Sequence, residues 1–201
     1  MFQNPDLLKL EGKNVILEKL NSQASYSDLY EMAISDSCGG EKLLQFMNFG
    51  PFESIYEFRD WLRIQEENNT RKTYTIYWKE RKKYVGMYSI LNIDCTCGRA
   101  ELGSIWIGTI AQRTKVNSEC AFLCLSMLFD NFRYRRIEWK CDNENINSKI
   151  SAQKLGFTFE GIFRKHMIVK NKNRDTAWFS IIEDEWPNVK MNLEQKLASN
   201  I

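Results

Sequence analysis

Apolar residues recur along the chain with two different periods, and the switches between them mark out its elements. Asn14–Leu20 (NVILEKL) alternates apolar and polar positions and predicts a first strand. Ser25–Ser35 carries Leu29, Met32 and Ala33 at helical spacing, and Ser37-Cys38-Gly39-Gly40 breaks that pattern. A short helix is predicted over Glu41–Asn48, ended by Gly50-Pro51. Ser54 and Glu57 form a capping box for a further helix to Asn68, whose Ile55, Phe58, Trp61, Leu62 and Gln65 keep near-helical spacing. Three strands follow at Thr73–Trp78, Tyr84–Asp94 and Arg99–Ile107, with short turns between them that predict an antiparallel meander. Val116–Phe132 reads as a buried apolar helix and Arg136–Cys141 as a strand. Asn145–Leu155 reads as a helix stopped by Gly156. Phe157–Val169 and Thr176–Ile182 are strands joined through Lys170–Asp175, and Asp184–Leu197 closes the chain as a polar helix.

This order predicts a mixed α/β (α+β) domain with an antiparallel first half and a crossover in the second. No repeat, low-complexity run or linker divides it. One domain is expected over residues 1–201, with its core at about 13–187 and the C-terminal helix at about 184–197.

Charge changes this picture little. The 28 basic residues nearly cancel the 26 acidic ones, which gives no signal for nucleic acid or a membrane surface. The one basic cluster, Lys79-Glu80-Arg81-Lys82-Lys83, lies between two predicted strands and reads as a solvated hairpin turn. No apolar run reaches the ~18 residues that span a bilayer, and the first residues lack the apolar core of a signal peptide. The cysteines fall at strand-like or helix-like positions, which suits buried free thiols in the cytoplasm. Cys95-Thr96-Cys97 has no second ligand pair to complete a metal site, so no metal is expected.

Candidate chemistry gathers at two strand-to-helix junctions. Gly103–Ser118 (GSIWIGTIAQRTKVNS) leaves a strand through a polar loop and opens a helix. Amides in a first helical turn lack intrahelical partners and carry partial positive charge, so they suit a phosphate group. Arg113 and Lys115 add full charges there, and Gln112, Thr114, Asn117 and Ser118 add hydrogen-bonding groups. An ordinary cap by Asn117 with solvated basic neighbours fits the same residues. At the second junction Asn145 offers both an amide donor and an acceptor, and Ser148 follows one helical turn later. Asn145 also reads as a plain N-cap, a role compatible with ligand contact.

Here a resemblance becomes specific. Gln112-x-x-Lys115-x-Asn117 stands where proteins of the GNAT superfamily of N-acetyltransferases carry Q/R-x-x-G-x-G/A. Asn145-x-x-Ser148, Leu155-Gly156-Phe157, Glu160-Gly161 and Phe163-Arg164 resemble the branch that acetylates the N-termini of ribosomal proteins. Glu101-Leu102-Gly103 is similar to the E-x-G on that branch's fourth strand, and Arg174-Asp175-Thr176 with Trp186-Pro187 resembles its ending. The likeness runs from about Val15 to Pro187 and is most specific in the second half. Both loop glycines are replaced, by Lys115 and Asn117. Asn tolerates positive φ and Lys does not, so either the backbone path differs or cofactor affinity is weakened.

The resemblance implies a GNAT-like acyl-CoA N-acyltransferase fold, with a central mixed, mainly antiparallel sheet flanked by helices. It implies acetyl-CoA as co-substrate and a primary amine as acceptor, attacked directly without an acyl-enzyme. The pyrophosphate is expected on Arg113, Thr114, Lys115, Val116, Asn117 and Ser118, with Gln112 opening the loop. Pantetheine is expected beside Trp106 and Ile107 and against Asn145. Ser148 is the candidate hydrogen-bond donor to the leaving sulfur, and Glu101 the candidate base, acting through water. His166, the only histidine, is the other base candidate, although a lone strand histidine more often serves structure. The acceptor is a protein N-terminal α-amine, a small amine or an aminoglycoside. A CoA-binding module without catalysis is the competing reading, prompted by the replaced glycines. Ser25–Asn69 and the Val169–Thr176 hairpin flank the expected cleft and should set acceptor specificity.

Overall fold

The computed structural model describes residues 1–34 and 40–199. Eight strands form one sheet in the order β1-β2-β3-β4-β5-β6-β8-β7. They are β1 (Lys9–Glu11), β2 (Val15–Lys19), β3 (Lys72–Trp78), β4 (Lys83–Asp94), β5 (Arg99–Ile107), β6 (Arg136–Asp142), β7 (Thr158–Val169) and β8 (Lys172–Ile182). The helices are α1 (Ser22–Ile34), α2 (Gly40–Leu43), α3 (Ile55–Glu67), α4 (Val116–Ser126), α5 (Ile146–Lys154) and α6 (Trp186–Ala198). Every strand pair is antiparallel except β5 with β6, which run parallel because α4 carries the chain across between them.

Alternation along the strands sends successive side chains to opposite faces. Tyr88 and Ile107 join the core beneath α4, α5 and α6, together with Cys120, Leu125, Leu155 and Leu193. Their neighbours Met87 and Trp106 face the other way and join Leu29, Met32, Phe58 and Leu62 beneath α1 and α3. Half of the expected capping box forms: Ser54 Oγ accepts from Glu57 N at 3.2 Å, while the Glu57 carboxylate accepts from Glu53 N, one residue before the cap, at 2.7 Å.

Several boundaries move. β1 was not foreseen, because three residues of mixed polarity carry no readable period; it adds an edge beside β2. The helix predicted over Glu41–Asn48 shrinks to α2. The long apolar helix changes at Met127–Asn131 to a wider π turn. The β7–β8 connection contracts to Lys170 and Asn171, both at positive φ, and β8 starts at Lys172. The predicted break at Ser37-Cys38-Gly39 lies outside the described residues, as does Cys38. The cysteines at 95, 97, 120, 124 and 141 are free thiols. Burial pushes the Cys120 thiol well up and that of Cys124 up to about 12. Among the described residues no helix is long and apolar enough to cross a membrane.

Candidate active site

The two parallel strands pair only from Arg99↔Arg136 to Leu102↔Trp139. Beyond Leu102 they part. β5 stays with β4, as in Met87↔Trp106, while β6 stays with β8, as in Lys140↔Trp178. The sheet therefore opens into a wedge, and α4 and α5 both begin at its mouth. A bulge lies on the β5 side: Met87 faces Trp106 and Ser89 faces Gly103, so Ser104 and Ile105 together oppose Tyr88. Ser104 takes φ +48 there. A bulge frees backbone groups from the ladder at the point where it bends the strand.

The loop leading into α4 is built by local bonds. Gln112 Nε2 donates to Ile107 O at 2.9 Å, and Thr114 Oγ1 donates to Ala111 O at 2.6 Å while accepting from Val116 N at 3.2 Å. The first i→i−4 bond is made by Glu119 N to Lys115 O. The replaced glycines have a plain explanation. Lys115 sits at φ −74, ψ −9 and Asn117 lies inside the helix, so neither needs glycine's conformational range. The left-handed residue is Arg113, at φ +60. Lys115 turns its ammonium to the carbonyls of Leu197 and Ser199 at the end of α6. Asn117 accepts from Tyr88 Oη at 2.6 Å and donates to Ser151 Oγ at 2.9 Å, tying the sheet to α4 and α5. Val116 and Ser118 are buried. The loop's outward donors are accordingly its backbone amides and the exposed side chain of Arg113.

At α5, Asn145 is the N-cap: Oδ1 accepts from Ser148 N at 3.0 Å. Its Nδ2 has no partner among the described residues. Ser148 Oγ accepts from Trp139 Nε1 at 3.0 Å. Burial pushes the neighbouring Cys141 thiol up, and a hydrogen bond with Ser148 opposes this.

Glu101 lies at the throat of the wedge, one pair before the strands part. Its Oε2 accepts from Asn92 Nδ2 and Lys140 Nζ, both at 2.7 Å. The Lys140 ammonium also lies 2.9 Å from Glu138 and 4.0 Å from the centre of the Trp178 ring. Burial pushes the Glu138 carboxyl up, but Lys140 and Arg136 outweigh it and hold the group below its usual range. Oε1 of Glu101 takes no described hydrogen bond. A Cβ on Gly103 would stand 3.1 Å from that oxygen and 2.7 Å from Leu91 Cδ1, which accounts for glycine two residues after the carboxylate. Glu160 is occupied elsewhere, by Arg136 and Ser180. His166 Nδ1 meets Thr176 Oγ1 at 2.9 Å on the β7–β8 hairpin. The hairpin tip reaches back across the fold, where Lys170 Nζ donates to Leu44 O at 3.0 Å.

The structure brings Glu101, Trp106, Ile107, Asn145 and Ser148 to one wedge, with Arg113 and the first turn of α4 at its rim. The bulge, Lys140, and the structural duties of Lys115 and Asn117 were not legible beforehand. Gly103-Ser104 within a strand pattern was the available signal for the bulge.

Residues 15–158 match the family described as an acetyltransferase (GNAT) domain. A GCN5-related N-acetyltransferase from Brucella melitensis superposes with a TM-score of 0.93 at 35% identity, covering 98% of this chain and 89% of that one. A probable acetyltransferase (GNAT family) from Chromobacterium violaceum gives a TM-score of 0.85 at 28% identity, covering 92% and 91%. A candidate ribosomal N-acetyltransferase of Bacillus subtilis is 24% identical over 105 residues, 52% of this chain and 57% of that protein. The match thus spans little more than half of that relative's length.

Proposed function

Since the chain belongs to the GNAT acetyltransferase family and is an N-acetyltransferase, we propose that it moves the acetyl group of acetyl-CoA to an α-amine at the wedge between β5 and β6. Acetyl-CoA supplies the activated acyl group as co-substrate. The first-turn amides of α4 and Arg113 receive the pyrophosphate, because donors without intrahelical partners and a positive dipole end meet there. Lys115 supports this site from behind by holding α6 rather than by touching the ligand. Asn145 Nδ2 and the strand edge at Trp106 and Ile107 hold the pantetheine arm.

Within the wedge each residue has one task. The backbone freed at the Ser104 bulge provides donors for the carbonyl oxygen that gains charge during attack. Ser148, oriented by Trp139, turns its hydroxyl proton to the departing sulfur. Glu101 keeps Oε1 free and receives the amine proton through water, while Asn92 and Lys140 fix the carboxylate through Oε2. Alignment of two bound reactants supplies most of the remaining acceleration.

An α-amine suits this equipment. With a pKa near ~8 it is roughly one-tenth free base at neutral pH, whereas a lysine near ~10.4 is almost wholly charged. Resemblance to a protein named for ribosomal acetylation supports a protein N-terminus as the acceptor. Free thiols suit a reducing compartment, so we place the protein in the cytoplasm.

The parting of β5 and β6 beside two helix starts is the observation that carries this reading. Thiol release from acetyl-CoA with a panel of N-terminal peptides and small amines tests it. Turnover with α-amines is expected; turnover with lysine side chains alone contradicts the acceptor assignment.

A further inference from the structure

Arg71 lies in the turn between α3 and β3. Among the described residues its guanidinium meets no hydrogen-bond acceptor and no carboxylate, although burial pushes its pKa down. Arginine stays charged under such conditions, so the cost of partial burial is not offset within the chain. Arg136 and Lys140, two partly buried cations of this sheet, hold carboxylates: Arg136 holds Glu160 and Glu138, and Lys140 holds Glu101, whereas Arg174 on β8 also leaves its buried Nε without an acceptor.

A narrow pocket has Arg71 in its wall, with Phe49, Trp61, Gln65, Thr73 and Trp106. Trp106 is 3% exposed, and its indole N–H is buried without an acceptor. One pocket therefore gathers two donor groups with nothing to donate to, between aromatic walls. Arg71 and Trp106 can only donate, and the Gln65 amide and Thr73 hydroxyl can donate as well, so the lining can serve a group that only accepts; a carboxylate fits the planar fork of arginine.

Register places this pocket beside the reaction centre. Thr73 pairs with Ser89, and Ser89 with Gly103, the residue packed against Glu101 Oε1. Two interstrand spacings put Thr73 about 10 Å from Gly103. Resting on the acetyltransferase reading above, we propose that Arg71 anchors an anion subsite on the acceptor side, so that the preferred acceptor is an α-amine compound bearing a carboxylate about one residue from its amine. That carboxylate belongs either to an acidic side chain near a peptide N-terminus or to the α-carboxylate of a free amino acid. A polycationic aminoglycoside is disfavoured by the same charge.

Equilibrium titration into the CoA-saturated protein tests the subsite without requiring turnover. The probes are Ser-Glu-amide against Ser-Gln-amide, and serine against serinamide. Tighter binding of one acidic probe by about tenfold to a hundredfold is expected, the range of a charge-assisted hydrogen bond. The difference should vanish in Arg71→Gln and persist in part in Arg71→Lys, which keeps the charge. The first pair responding assigns a peptide, the second a free amino acid. Equal affinities within both pairs, absence of binding, or a preference that survives Arg71→Gln overturns the subsite. In parallel assays the acidic preference should appear in KM rather than kcat. Acetylation of both members with equal KM overturns the subsite and leaves the acetyltransferase reading standing. Arg71-dependent binding with no acetylation of any amine does the reverse.

Discussion

At the start of α4, Lys115 holds the end of α6, and Asn117 is held between Tyr88 and Ser151. At the start of α5, Asn145 caps with one side-chain atom and keeps the other free, and Ser148 faces the parting strands. Both helix starts line the same wedge, yet they divide labour differently. The first turn of α4 offers mainly backbone to a ligand and spends its polar side chains on packing. The first turn of α5 offers side chains. On the proposed reading, substitution at the family's glycine positions should be tolerated at α4, because the amides keep their direction whatever the residue, provided its side chain has a place to go. No such latitude is expected at α5 or at Glu101, where the proposed chemistry sits on particular atoms.

This contrast can be broken in four ways, in order of expected effect. Glu101→Gln should slow acetyl transfer about 10²–10³-fold, within the range of general-base catalysis, and most severely at low pH where free amine is scarce. A pH–rate profile unchanged from wild type removes Glu101 as base. Ser148→Ala should lower kcat about 10²-fold, the loss seen when one donor to developing charge is deleted. Its acetyl-CoA affinity should stay within about twofold, a change of under ~0.5 kcal/mol; wild-type kcat would refute the donor role. Arg113→Ala should weaken acetyl-CoA binding about tenfold, and added salt should narrow the gap, as expected of an exposed charge. Identical affinities at low salt contradict a phosphate contact.

The smallest effect separates the two helix starts most cleanly. Lys115→Met removes a cation from the carbonyl end of α6 at a cost of about 0.3–1 kcal/mol. Thermal unfolding should therefore fall by ~1–4 °C for a chain of this size, while acetyl-CoA affinity barely changes. A large loss of affinity with unchanged stability would mean that Lys115 touches the ligand.

The second half of the chain was the more legible. Asn145 and Gly156 punctuate the helix, Asn145 and Ser148 carry side-chain chemistry in its first turn, and local sequence displays both. Glu101-x-Gly103 was recognisable as a pattern, but its reason is tertiary: glycine leaves room beside an oxygen whose partner atom is fixed by Lys140, 39 residues away. The duties of Lys115 and Asn117 depend on α6, β4 and α5, so spacing cannot reveal them. The same holds for Arg71, which is distinguished by the partners it lacks.

The most direct test of the account is calorimetric titration of wild-type protein with acetyl-CoA. A loop that binds pyrophosphate through backbone amides should give one saturable site at micromolar ligand despite its missing glycines. Absence of heat at high micromolar acetyl-CoA, with the protein folded, would contradict the account.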